Sequence, residues 1–211
     1  MSDKPYNPLD RLQLACSVAN AMLAKEVSAL PPKQPFNGAG IYAIYYLGDF
    51  VAYRPISNAS CEVPIYAGKA ISRGSRRGGL EDPTNEPVLY RRLKEHAESI
   101  QSAENLRVED FRCRYLVTED LWISLGEQLL IRQYRPVWNH VVDGFGNHDP
   151  GGGRRQQKRS PWDTLHPGRG WASRLPLLAK TPQEIETDIQ QAFATGKCLI
   201  HPTPETTNIR S

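Results

Sequence analysis

Long apolar runs are missing from this chain of 211 residues. No stretch approaches the roughly 18 residues a helix needs to cross a bilayer, so nothing in it reads as membrane-spanning. Cysteine is scarce as well: Cys16, Cys61, Cys113 and Cys198 stand alone. Structural zinc sites bring their ligands in close pairs, and the absence of such a pair excludes a zinc-knit fold. The first residues lack the basic start and apolar centre of a secretory signal. That predicts reduced thiols in a cytoplasmic protein. Charge of one sign is not in excess, because 26 basic residues against 23 acidic ones leave a net charge of +3. Such a balance is weak evidence for a nucleic-acid partner, and where the cations fall matters more than their sum. There is no internal repeat, so each candidate functional residue occurs once.

The composition, 39% hydrophobic and 23% charged with 17 prolines and 16 glycines, is that of a globular protein with much loop. Its length predicts a single domain, 1–211, able to bury a core. Leu9, Leu12, Cys16, Ala19, Leu23 and Val27 recur at three and four and predict a helix over 8–30, closed by Pro31-Pro32. Two tyrosine-bearing strands are expected at 40–47 and 62–68, joined by a long loop and therefore antiparallel. A helix over 87–101 buries Leu89, Leu93, Ala97 and Ile100. Residues 107–118 alternate as a strand with Arg112 and Arg114 on a basic face. A helix over 120–134 follows, then a turn at Arg135-Pro136 into a short strand ending at Asn139. Thr181-Pro182-Gln183-Glu184 is a capping box that opens a last helix over 181–196. The expected fold class is α/β (α+β): a small, mainly antiparallel sheet flanked by helices, with helical additions at 8–30 and 181–196.

Several polar residues fall where apolar ones are expected. Arg92 and His96 lie four apart on one side of their helix, with His96 close to the centre of the apolar stripe. Taken alone, such a histidine is more often a hydrogen-bonded core residue. An arginine beside it needs an anion, and a phosphate is one such anion. Glu127 is planted among leucines and isoleucines, which is costly unless it meets a cation. An ion pair with an arginine satisfies that need; so does a metal, the sharper reading. Gly126 beside it permits close approach of a neighbour.

The order Gly40-Ile41-Tyr42, then Tyr66-Ala67-Gly68-Lys69, Arg92 with His96, Glu127 in an apolar helix and Pro136-Val137-Trp138-Asn139 resembles the GIY-YIG nuclease domain across 36–145. Arg92-x-x-x-His96 and Val142–His148 resemble its small type II restriction-endonuclease branch, whose members recognise CCGCGG. Ala67 departs from the isoleucine in the family's motif. The resemblance implies an active-site set of Tyr42, Tyr66, Lys69, Arg92, His96, Glu127 and Asn139. It further implies hydrolysis of phosphodiester bonds in double-stranded DNA and a cognate DNA methyltransferase in the same system. Glu127 would hold Mg²⁺, and because the chain carries one such set, a homodimer on DNA is expected for cutting both strands. A structure-specific repair nuclease and a non-catalytic DNA-binding module are the alternatives.

Two basic loops offer DNA contacts. Arg73, Arg76 and Arg77 lie in a Gly- and Ser-rich stretch suited to phosphates. The excursion over 143–175 carries Asn147, His148, Arg154, Arg155, Gln156, Gln157, Lys158, Arg159 and Arg169. Arginine and glutamine pair with guanine and adenine edges, whereas Lys158 suits phosphate. Either loop could instead be merely solvated, but Trp162 and Trp171 predict order in the second.

Overall fold

The computed structural model describes residues 7, 9–72, 86–151 and 156–202. Its centre is an antiparallel four-stranded sheet in the order β1-β4-β2-β3, with β1 at Ser28–Ala29, β2 at Gly40–Tyr46, β3 at Tyr66–Ala70 and β4 at Phe111–Val117. Every residue of β2 is buried, because strands flank it on both edges and helices cover both faces. Side chains alternate across a strand. Ile41, Ala43 and Tyr45 therefore meet one layer, while Tyr42, Ile44 and Tyr46 meet the other.

The first layer is α1 (Arg11–Leu23) packed on α3 (Asp120–Tyr134). Gly126 allows the approach, since a Cβ there would lie 2.7 Å from Val18 and 2.9 Å from Ile41. The second layer holds α2 (Val88–Ser102), the short α4 (Val137–His140) and α5 (Pro161–Leu165), and α6 (Pro182–Ala194). The bounds of α2, α3 and α6 agree with the periodicity, and Thr181 and Glu184 form the expected capping box.

Elsewhere the sequence pattern misleads. α1 stops at Leu23, not near 30, and Ser28–Ala29 pairs with Cys113 and Arg112 as an edge strand. Its buried face is Ala15, Ala19, Met22 and Leu23, leaving Leu9 and Leu12 exposed. Beside that face, Val18 is the residue that reaches Gly126. The start of 107–118 is a single 3₁₀ turn, Val108–Asp110, and the strand begins at Phe111. Arg114, expected on an open basic face, donates to the carbonyls of Lys25 and Cys61 and lies 4.9 Å over the Tyr45 ring. Residues 137–140 are helix, not strand. Arg135 ends α3 in the left-handed region at φ 45°, and Pro136 with its fixed φ starts a new turn. All four cysteines are free. No helix among the described residues is long and apolar enough to cross a membrane.

Candidate active site

The site is built on both faces of the edge strand β3. Tyr42 stands opposite Gly68 and Ile44 opposite Tyr66, so the two tyrosines share the face toward α2. Gly68 is required there for space alone: a Cβ would fall 2.5 Å from the Tyr42 hydroxyl and 3.0 Å from the Tyr66 ring. The Tyr42 hydroxyl thereby reaches His96, with its oxygen 2.6 Å from Nε2. Tyr42 and His96 are each only 1% exposed. Burial, and then the neighbouring Tyr66, hold the Tyr42 phenol well above its usual pKa, so it stays protonated at neutral pH. Burial followed by the charges of Arg92, His148 and Arg169 pushes His96 well below the usual histidine range. A protonated phenol therefore faces a neutral imidazole. Phe145 stacks on His96 with centroids 4.4 Å apart and planes 16° from parallel, and also meets Tyr66 edge-on.

On the opposite face Lys69, cross-strand from Ile41, points toward α3. Its Nζ lies 2.7 Å from Glu127 Oε2 and 3.3 Å from Ser124 Oγ. The half-buried carboxylate thus has a cation, and where the ion-pair reading named an arginine the partner is a lysine. The Glu127 side chain keeps 17% of its surface open. Among the described residues no three His, Cys, Asp or Glu side chains cluster as a metal site. One reachable carboxylate fits Mg²⁺, which takes one or two carboxylates and keeps several waters, and does not fit Zn²⁺.

Arg92 stands between these halves. With Lys69, Ala70, Arg91 and Glu95 it lines a cleft of about 300 Å³ beside β3. Its NH1 donates to Glu95 Oε2 at 3.0 Å and to His148 Nε2 at 2.7 Å, and NH2 donates to the Gly146 carbonyl at 2.9 Å. An arginine N–H only donates, so His148 Nε2 is the acceptor. The anion on Arg92 is therefore a carboxylate of its own helix.

Asn139 hydrogen-bonds to the backbone of β3, not to a tyrosine or lysine side chain. Its amide accepts from Ala67 N and donates to Ala67 O, each at 2.9 Å, clamping β3 midway between Tyr66 and Gly68. Ala67 itself is fully buried.

Among the expected DNA contacts, Asn147, His148, Gln156, Gln157 and Lys158 are exposed. Arg159 is half-buried and donates to the carbonyls of Ala172 and Ser173, tying its own loop. Arg169 is only 5% exposed and turned inward, so it is not presented to a duplex. Arg73, Arg76, Arg77, Arg154 and Arg155 lie outside the described residues.

A second tyrosine–histidine pair lies deeper. Asn105 Nδ2 donates to Leu165 O, so its Oδ1 accepts from His166 Nδ1 at 2.8 Å. Nε2 of the neutral ring then accepts from Tyr53 at 2.6 Å. Tyr53 and His166 are fully buried, Asn105 reaches the surface, and both ring nitrogens have partners, so this pair is structural.

Glu95 and Phe145 are site residues that sequence reasoning missed. Glu95 had a signal, three residues after Arg92 on one helix face. Phe145 had none, because its contact with His96 joins distant segments.

A search of curated proteins finds no match for the chain. The family model described as "Eco29kI GIY-YIG domain" matches residues 34–193.

Proposed function

Because this chain belongs to the Eco29kI GIY-YIG family of restriction-type nucleases, we propose that it is a type II site-specific endonuclease. It would hydrolyse phosphodiester bonds of double-stranded DNA at a short palindrome with Mg²⁺ as cofactor. The observation that carries this reading is the buried contact of Tyr42 with the Nε2 of a neutral His96, beside a cleft holding Lys69 and Arg92.

Hydrolysis needs a proton removed from water, charge neutralised on phosphorus, and a stabilised leaving oxygen. Tyr42 cannot serve as a base while its phenol holds its proton. It can do so by passing that proton to His96 Nε2 as it takes one from water, so no free phenolate forms. Tyr66, on the same face and less buried, orients the water at the mouth. Arg92 exchanges Glu95 for a non-bridging phosphate oxygen, which its planar fork grips. Glu127 would hold Mg²⁺, with Lys69 restraining the carboxylate. Bound there, Mg²⁺ would supply Lewis acidity that stabilises charge developing on the phosphate and the leaving oxygen. Asn139 keeps β3, and hence Tyr66 and Lys69, in register.

The site CCGCGG is proposed by resemblance to the type II branch. A chain with one Tyr42 and one Glu127 holds one active site, so cutting both strands of a palindrome calls for two chains related by a two-fold axis. A methyltransferase that protects the same site would accompany it in a cell. The test is a plasmid bearing CCGCGG, incubated with and without Mg²⁺, its ends sequenced, alongside Glu127→Gln. We expect linear product only with Mg²⁺, two chains per duplex by ultracentrifugation, and binding without cleavage by the variant. Cutting at near wild-type rate by Glu127→Gln would remove the metal from that residue, and cleavage of no DNA would overturn the nuclease reading.

A further inference from the structure

The segment 144–148 serves the site in three ways. Phe145 stacks on His96, the Gly146 carbonyl accepts from Arg92, and His148 Nε2 accepts from Arg92. No strand or helix holds this segment. Its carbonyls converge on one guanidinium instead: Arg169 NH2 donates to Gly144 O at 2.9 Å, and NH1 donates to Phe145 O at 3.0 Å and Asn147 O at 3.2 Å. The same group donates through Nε to Asp163 Oδ1 at 2.6 Å. Asp163 is held in turn by Ser160, whose Oγ donates to Oδ2 at 2.6 Å. Indole rings of Trp162 and Trp171 lie 4.4 and 4.7 Å from the guanidinium carbon. The side chains of Arg169 and Asp163 are 4% and 1% exposed.

We infer that Arg169, oriented by Asp163, is a positioning residue of the nuclease site: its planar fork fixes 144–148 so that Phe145 packs on His96 and Gly146 O holds Arg92. A buried ion pair contributes little net stability over an apolar pair, because desolvation offsets the attraction. Geometry is what this one supplies. The three carbonyls it gathers belong to the segment that touches both His96 and Arg92. A lysine would keep the charge but lacks the rigid fork that reaches three acceptors at once.

The inference rests on the nuclease reading for its kinetic consequence and on geometry alone for its spectroscopic one. The test compares wild type, Arg169→Lys and Asp163→Asn by thermal melt, by NMR of the His96 ring protons, and by single-turnover cleavage of the CCGCGG plasmid with Mg²⁺. We expect both variants to fold. His96 should lose the upfield ring-current shift imposed by Phe145, and the cleavage rate at saturating protein should fall by about 10²-fold, as for a misplacement near 1 Å, with DNA affinity within a few-fold of wild type. Unchanged His96 resonances in a folded variant overturn the inference, as does a variant whose folded fraction cuts at the wild-type rate. Unfolding of both variants overturns it too, since the pair would then only hold the fold. Loss of affinity with an unchanged rate would return Arg169 to the DNA contacts. If wild type cuts no DNA, the nuclease reading fails by itself, and the His96 spectra still decide whether Arg169 positions that ring.

Discussion

Replacing Gly68 with alanine probes the tyrosine site by a single methyl group. The glycine lies in ordinary strand backbone, so alanine is conformationally welcome and would restrict the unfolded chain, a gain of about 0.4–1 kcal/mol. Space decides against it. The new Cβ would fall 2.5 Å from the Tyr42 oxygen and 2.7 Å from Tyr42 Cζ, so the ring must retreat by about 1 Å to reach ordinary contact near 3.5 Å. Overpacking of this kind costs about 1–3 kcal/mol. The net loss of about 1–2 kcal/mol should lower Tm by about 2–8 °C in a chain of this size. The same retreat moves the Tyr42 hydroxyl from its place 2.6 Å from His96 Nε2 and so spoils the geometry of that contact. A displacement of that size costs about 10²-fold in rate. Single-turnover cleavage of the cognate plasmid, beside a thermal melt, measures both effects. A variant that melts with wild type and cuts at the wild-type rate would refute the argument, because the tyrosine hydroxyl would then not need its place beside the strand.

Acid should destabilise the fold through two histidines. His96 is held well below its ordinary value and His166 is pushed down to about 3, each chiefly by burial. Both titrate lower in the folded chain than in the unfolded one, so below pH about 6.5 the unfolded chain binds more protons. Stability then falls by about 1.4 kcal/mol per pH unit for each ring until the folded pKa is reached. Chemical denaturation at pH 7.5 and pH 5 tests this, with His166→Gln expected to flatten part of the slope; equal stability at both pH values would refute it. Asn139→Ala should cost about 1–3 kcal/mol for two lost hydrogen bonds to Ala67. Asn139→Asp should be worse, since it sets a carboxylate against the Ala67 carbonyl; a melt showing Asp equal to Asn would disprove the clamp.

Much of the fold was legible because α2 is amphipathic and α6 is amphipathic and capped, patterns that local physics enforces. Thr181 with Glu184, and the stripe of Leu89, Leu93, Ala97 and Ile100, mark their helices unaided. α1 was overextended because Val27 continues the helical spacing, whereas pairing of Ser28 with Cys113 is a non-local bond with no local trace. The site was legible as residue types and not as contacts. That Glu127 needs a cation follows from its apolar setting, but nothing local says that the cation is Lys69, from the edge strand β3 that packs against α3. Arg169 reads as an exposed base contact in a basic, Gly-rich run. Only the folded loop shows that three carbonyls and Asp163 claim it.

The pairing of Arg92 with Glu95 bears on how DNA affinity responds to salt. A cation that neutralises a phosphate normally frees a counterion condensed on the duplex, and each such contact adds about 0.9 to the slope of log affinity against log salt. Arg92 arrives already neutralised, with its guanidinium 21% exposed against a carboxylate 39% exposed. If, as proposed, it exchanges that carboxylate for a phosphate oxygen, the duplex would give up a counterion while Glu95 would recover one from solution. The two largely cancel. Contacts made in the cleft should therefore persist as ionic strength rises, while a phosphate contact by the exposed Lys158, which has no ion pair among the described residues, would free its counterion in full. The salt-sensitive part of binding and the part that engages the scissile phosphate would then belong to different regions of one surface.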